Sequence, residues 1–177
     1  MKKLWKISIP ILLILVIALG FLYRDTLKER LGSLSVQETD LSHLTYDQLS
    51  LGRQFKPDSS YVKQEGDTAK LNDYNYRGMN AFYVTTTANN DIVGLKLVDK
   101  VPGCRSHFDN GLALGMTLNK VKQLLGPHYI TFNTDRYGKV VMYIDKSHND
   151  KLLLGLSNHD KVTAIVGFNK NQYDYQY

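Results

Sequence analysis

The spacing of hydrophobic and polar positions changes along the chain. From Ile7 to Tyr23 the residues run without a charge, behind Lys2, Lys3 and Lys6. That run is apolar on every helical face, which suits lipid and not a one-sided core. Leu4 and Trp5 lengthen it if Lys6 snorkels, and Trp5 and Tyr23 stand where interfacial aromatics belong. The lysines predict a cytoplasmic N-terminus and an outward-facing remainder. A cleaved signal peptide is the competing reading, with Ala18-Leu19-Gly20 as a small-x-small site; against it, apolar residues continue through Phe21, Leu22 and Tyr23. No cysteine stands near the end of the run, which excludes a lipoprotein signal.

Arg24 to Leu34 is charged and helix-prone, with Gly32 as its stop. Ser33 to about Thr39 reads as a polar linker. "DLSHLTYDQLSLG" opens the folded domain, with Leu41, Leu44 and Leu49 expected to be buried. Strand patterns then dominate. "AFYVTTTA" and "DIVGLKLVDK" are β-branched and alternating, and Asn89-Asn90 between them reads as a two-residue hairpin turn. "VPGCRSHFDNG" is a loop punctuated by Pro102-Gly103 and Asn110-Gly111.

The stretch "GLALGMTLNKVKQLLGPHY" contains a short helix. Thr117 is its expected N-cap, and Leu118, Val121, Leu124 and Leu125 form its apolar stripe. Gly126 supplies a left-handed C′ residue and Pro127 forbids continuation. Behind it, "YITFNT", "KVVMYIDK", "KLLLGLSN" and "KVTAIVGFNK" read as an antiparallel meander. In the last of these, alternation places Val162, Ala164, Val166 and Phe168 on one face, and Thr163, Ile165 and Gly167 on the other. The tail "NKNQYDYQY" is polar, so it is expected to fray or to add an edge strand.

Two parts of the chain rhyme. Leu49-Ser50-Leu51-Gly52 is similar to Leu112-Ala113-Leu114-Gly115, and Asp91–Lys100 is similar to Asp160–Lys170. The reading is of two αβββ-like units, the first with a degraded helix of about two turns in "PDSSYVKQEG". The Gly115, Met116, Val121, Leu124, Leu125, Gly126, Pro127, Tyr143, Val162 and Ile165 pattern resembles the repeat of the domain N-terminal to CAP domains in Firmicute secreted proteins. It resembles, more loosely, the helix-plus-meander units of β-lactamase-inhibitor-like (BLIP-like) proteins and small outer-membrane-assembly lipoproteins. The resemblance implies a scaffold that binds other proteins or wall components.

Composition adds little. The net charge of +5 falls to +2 without the three N-terminal lysines, too weak for a nucleic-acid partner. One cysteine, Cys104, rules out an intramolecular disulfide and is expected to be a small buried or loop residue. His43, His107, His128, His148 and His159 show no metal-ligand spacing, and no phosphate loop, nucleophile elbow or dinucleotide turn occurs. His148 and His159 read as solvated turn residues. His107, Asp109 and Cys104 form a candidate thiolate cluster for an envelope hydrolase, but they lie in one loop, whereas catalytic partners usually come from separated elements. The tyrosines remain. On an outer sheet face, Tyr74, Tyr76, Tyr129 and Tyr137 are the candidate partner contacts, with strand packing as the competing role.

The expectation is therefore an α+β protein. It has an N-terminal membrane anchor at 1–23, a juxtamembrane helix and linker at 24–40, and one extracytoplasmic domain at 41–177 with repeats at about 49–100 and 112–170. The sheet is expected to be covered on one face by helices. No catalytic group, cofactor or metal is expected. The partners are the membrane, through the N-terminal segment, and an envelope or secreted protein of a Gram-positive-type bacterium, in an inhibitor or immunity role.

Overall fold

The computed structural model describes residues 24–64, 70–77, 81–98, 107–173 and 175–177. The apolar run at 1–23, Pro102-Gly103 and Cys104 lie outside the described residues. No helix among the described residues is long and apolar enough to cross a membrane.

The chain begins with helix α1 (Arg24–Ser35), which passes through Gly32 without stopping there. Gly32 lies against the sheet: a Cβ on it would stand 2.6 Å from Ile130 Cγ2. Its role is close approach, which local sequence does not reveal. The expected linker does not hang free, since Val36 packs on the sheet and the Thr39 amide donates to the Ile144 carbonyl at 2.8 Å. A small hairpin follows, β1 (Thr45–Tyr46) and β2 (Leu49–Ser50). Its turn residues Asp47 and Gln48 both have positive φ, the geometry that matches strand twist. Leu41 and Leu44 are buried, and Leu49 is partly so.

The remaining strands are β3 (Tyr61–Gln64), β4 (Leu71–Tyr76), β5 (Phe82–Thr87), β6 (Ile92–Leu97), β7 (Ile130–Thr134), β8 (Gly138–Asp145), β9 (Asp150–Leu156) and β10 (Val162–Asn169). Helix α2 (Leu118–Leu125) sits between β6 and β7. The strands make one eight-stranded antiparallel sheet in the order β3-β4-β5-β6-β10-β9-β8-β7. The class is thus α+β. Each half of the sheet has four strands, one more than the αβββ reading of the repeat; in the second half they are the four stretches read as a meander. The expected helix after Pro57 is absent from the described residues: Asp58 Oδ1 accepts the Ser60 amide at 2.8 Å, and Tyr61–Gln64 is strand. An aspartate capturing nearby backbone offers the chain an alternative to a helical turn.

The two halves correspond bond by bond. Gly52 and Gly115 both have positive φ. The Gly52 amide donates to the Ile92 carbonyl and the Ile92 amide to the Arg53 carbonyl; Gly115, Val162 and Met116 repeat both bonds. The turn before each inner strand also matches. Asn90 and Asp160 are left-handed, and the Thr87–Asp91 amide-to-carbonyl bond has its counterpart in Ser157–Lys161. The first of these turns is a three-residue loop, Ala88 to Asn90, where a two-residue turn was expected. Each half carries one register shift, beside Thr85/Thr86 and beside Val162/Ala164, at equivalent places. At the junction Leu97 pairs with Ile165 and Leu95 with Gly167, so exchanging the halves about the Lys96–Val166 pair preserves the register.

The register shift corrects the predicted faces of β10. The bulge at Thr163 adds a residue and reverses the alternation, so Val162 joins Ile165 in one core while Val166 and Phe168 enter the other. The larger core lies on one face, between the sheet, α2 and the segments around Leu44, Phe55, Phe108 and Leu112. The second lies on the opposite face, around Phe132, Met142, Leu153 and Phe168. The second face is therefore covered too, over the C-terminal half of the sheet, where cover on one face alone was expected. The second cover is α1 together with the C-terminal tail, which neither frays nor adds a strand. Tyr175 is buried, its hydroxyl hydrogen-bonds that of Tyr137, and Tyr177 packs against Phe132 and Phe168.

Candidate functional site

Equivalent positions of the two halves differ sharply on this second face. In the C-terminal half Ile130, Phe132, Val140, Met142, Leu153 and Val166 are apolar and packed beneath α1 and the tail. Strand pairing places Val62, Gln64, Asp73, Asn75, Tyr83 and Lys96 at the corresponding positions of the N-terminal half. One scaffold carries a core on one side and a polar sheet face on the other.

That polar face has its own order. Thr85, 6% exposed, donates from Oγ1 to Asp73 Oδ1 at 2.6 Å. Lys96 Nζ stands 3.9 Å from the centroid of the Tyr83 ring, within cation–π range. Burial pushes the Lys96 ammonium below its ordinary value, and the nearby Arg136 charge adds to this; Asp73 opposes both. Tyr173 borders the site and lies against Gly94, where a Cβ would stand 2.8 Å from its Cε1. Burial holds the Tyr173 phenol above its usual range despite a hydrogen bond with Thr85. Asp73, Tyr83, Thr85, Lys96 and Tyr173 line a recess of about 170 Å³. Sites for drug-sized ligands span about 300–1,000 Å³, so this recess suits one inserted side chain or a small group. With its ammonium over an aromatic ring, its acceptor carboxylate and its aromatic wall, it can anchor a partner's polar or aromatic residue.

A larger cleft of about 430 Å³ lies between α1 and the tail. It contains the Lys151–Glu29 ion pair at 2.8 Å, with side chains 6% and 18% exposed. Burial pushes the Glu29 carboxyl up, but hydrogen bonds from Lys151 and Tyr177 outweigh it and leave the group below its ordinary value. This pair straps the helix to the sheet.

The four candidate tyrosines do not share one surface. Tyr74 is buried, with its ring against Phe55 at 5.0 Å. Tyr76 is half-buried at the β3–β4 end of the sheet, edge-on to Tyr61. Tyr129 meets Tyr143 at the opposite end. Tyr137 is on the other face, held by Tyr175. High strand propensity and packing explain all four placements.

The helical motif residues are structural. Gly115 turns the chain, Val121 is fully buried, Leu118 and Leu125 pack beside it, and Leu124 is 40% exposed, off the predicted stripe. Thr117 occupies the N-cap with extended backbone, but its side chain makes no capping bond; the Leu118 amide donates to the Asp160 carbonyl at 2.9 Å. Gly126 has φ of 89° and ψ of 175°, a positive-φ C-cap outside the left-handed helical well. Pro127 follows immediately and is exposed.

His107 and Asp109 are both exposed, and Asp109 Oδ2 accepts the Gln48 amide at 3.4 Å. Among the described residues no group of His, Cys, Asp and Glu is arranged to hold a metal. Sequence reading takes Asp145 only as one of the few carboxylates near turns and gives it no role. Its side chain is 4% exposed and accepts from the His148 ring at 2.9 Å, the His148 amide at 3.0 Å and the Leu41 amide at 3.1 Å. Only the Asp145–His148 spacing at the end of a strand could have signalled it. The polar set at Asp73, Tyr83, Thr85 and Lys96 was missed too, since alternating polar residues read simply as a solvated strand face. No protein family, no curated protein and no solved structure was found to match this chain.

Proposed function

We propose that this protein is a membrane-anchored, extracytoplasmic binding module without catalytic activity. It acts at the cell envelope of a Gram-positive-type bacterium, as an inhibitor or immunity protein toward an envelope or secreted protein. The domain is read as two repeats of one helix-plus-meander unit, the first having lost its helix. The carrying observation is the divergence between the halves. The face that is an apolar core in one half is replaced in the other by Asp73, Tyr83, Thr85 and Lys96 around an open recess. A duplicated scaffold that keeps one half for stability and leaves the other polar, with no helix over it among the described residues, is suited to recognition. The apolar run at 7–23 behind three lysines supports the anchor, and the resemblance to binding scaffolds supports the non-catalytic role.

The test is a binding titration of the full chain in membranes against the secreted and envelope proteins of its own cell. The reading expects saturable one-to-one binding that weakens by about tenfold or more in the Tyr83→Ala/Lys96→Ala double variant, as for loss of a central contact pair. Lys120→Ala, on the far side of the sheet, and the loop variants Cys104→Ala and His107→Ala are expected to bind as the parent does. Binding indifferent to Tyr83 and Lys96 would move the site elsewhere, and loss of function in the Cys104 or His107 variants would return the protein to the hydrolase class.

A further inference from the structure

Helix α1 turns the wrong residues inward for a helix that packs on a sheet. Its partly covered positions are Asp25, Glu29, Gly32 and Ser33, all polar or small. Its leucines point outward: Leu27, Leu31 and Leu34 are 47%, 63% and 79% exposed. They recur at i, i+4 and i+7, so they form one stripe. Among the described residues they are three of the five large hydrophobics that stand exposed. Scattered exposed apolar residues need no explanation, but a stripe turned away from its own protein does.

Charge on the helix is sorted in the same direction. Arg24, Lys28 and Arg30 are exposed and flank the leucines, whereas Asp25 and Glu29, the two acids of the helix, are on the covered side. The surface that completes this face must be apolar and anionic. A second copy of the same helix fits poorly, because Lys28 and Arg30 border the stripe where a parallel pair would bring like charges together. Continuity decides the rest. The uncharged run at 7–23 ends at the residue before Arg24, so a lipid-seeking segment delivers the stripe directly to a bilayer.

We propose that α1 lies along the membrane surface, with Leu27, Leu31 and Leu34 in the headgroup–acyl boundary and Arg24, Lys28 and Arg30 on anionic lipid headgroups. This rests on the membrane-anchored reading above and deepens it. Tail tyrosines line both the cleft under α1 and the Lys96 recess, so helix and recess are on one side of the sheet. A helix seated on lipid therefore turns the open half-face toward the bilayer, at about one helix diameter, roughly 10 Å. The partner is accordingly one held at the membrane surface.

The experiment uses the full chain with Cys104→Ser as background, carrying an environment-sensitive fluorophore at Leu31→Cys or, as control, at Lys120→Cys. It is reconstituted into phosphatidylcholine vesicles with or without about one-third phosphatidylglycerol. The expected result is a blue-shifted emission at position 31 with quenching by shallow spin-labelled lipid roughly threefold that at position 120, as for a helix seated in the interface. The effect should be stronger with phosphatidylglycerol and weakened by the Arg24→Gln/Lys28→Gln/Arg30→Gln variant. Water-like emission at position 31 in vesicles that carry the protein overturns the inference while leaving the anchor intact. A shift that vanishes when the protein is diluted in excess lipid assigns the stripe to a second copy, and the same shift without lipid quenching assigns it to protein; both overturn the lipid assignment. Failure of the chain to float with vesicles would sink the anchored reading and this inference together.

Discussion

One carboxylate shows how much a single residue can organise. Asp145 ends β8 and ties the Leu41 amide, far away in sequence, to the turn at His148. Burial pushes its carboxyl up, but hydrogen bonds from the His148 ring, the Leu41 amide and the His148 amide leave it below its ordinary 3.8. His148 moves the other way: the hydrogen bond to Asp145 and its charge raise the ring above its ordinary 6.5. The aspartate's contribution is therefore full above 3.8 and is lost as pH falls through its depressed value. The histidine's contribution is full below 6.5 and is lost as pH rises through its raised value. Urea midpoints across pH should show a plateau between these limits, and His148→Ala should abolish the alkaline slope and reduce the acid one, because the His148 ring supplies the largest of the hydrogen bonds that depress the Asp145 carboxyl. Asp145→Ala should cost about 1–3 kcal/mol at any pH on the plateau, the penalty for orphaning a buried amide.

At the scale of an element, α2 is held by its surroundings more than by its own caps. Its first amide goes to Asp160, its last turn closes through the Gly126 amide on Lys122, and the Tyr143 hydroxyl donates to the Gly126 carbonyl at 3.0 Å. Since Thr117 contributes no capping bond, Thr117→Ala should stay within about 0.5 kcal/mol of the parent, less than the ~1 kcal/mol typical of a working N-cap. Leu124→Ala, at a largely exposed position, should behave alike. Val121→Ala opens space beneath the helix and should cost about 1–3 kcal/mol. Equilibrium unfolding of the three variants tests the order; a costly Thr117→Ala would mean the side chain caps after all.

For the whole molecule, the strap formed by Glu29 and Lys151 joins the first helix to the sheet interior. Glu29→Gln leaves a buried ammonium poorly paired and should cost about 3 kcal/mol. Glu29→Leu combined with Lys151→Met should recover most of that loss, because two apolar groups need no mutual solvation. A double-mutant cycle in urea measures this; additive losses would show that the pair does not hold the helix.

Local pattern by itself determined the bounds of α2, the strands from Phe82 onward, and the burial of Leu41 and Leu44. These depend on spacing, backbone preference and neighbouring residues, which any short window contains. Tertiary structure alone decided the rest. The bulge at Thr163 reversed the faces of β10 because pairing with β9 admits an extra residue there. The helix runs on through Gly32, where the missing side chain makes room for Ile130, and the polar-looking tail folds back because Phe132 and Phe168 offer its tyrosines a surface. The polar face at Asp73, Tyr83, Thr85 and Lys96 became distinct only when strand pairing set it beside its apolar counterpart. A window of sequence records how one residue alternates with the next; which partner each face meets is set by contacts between residues far apart in the chain.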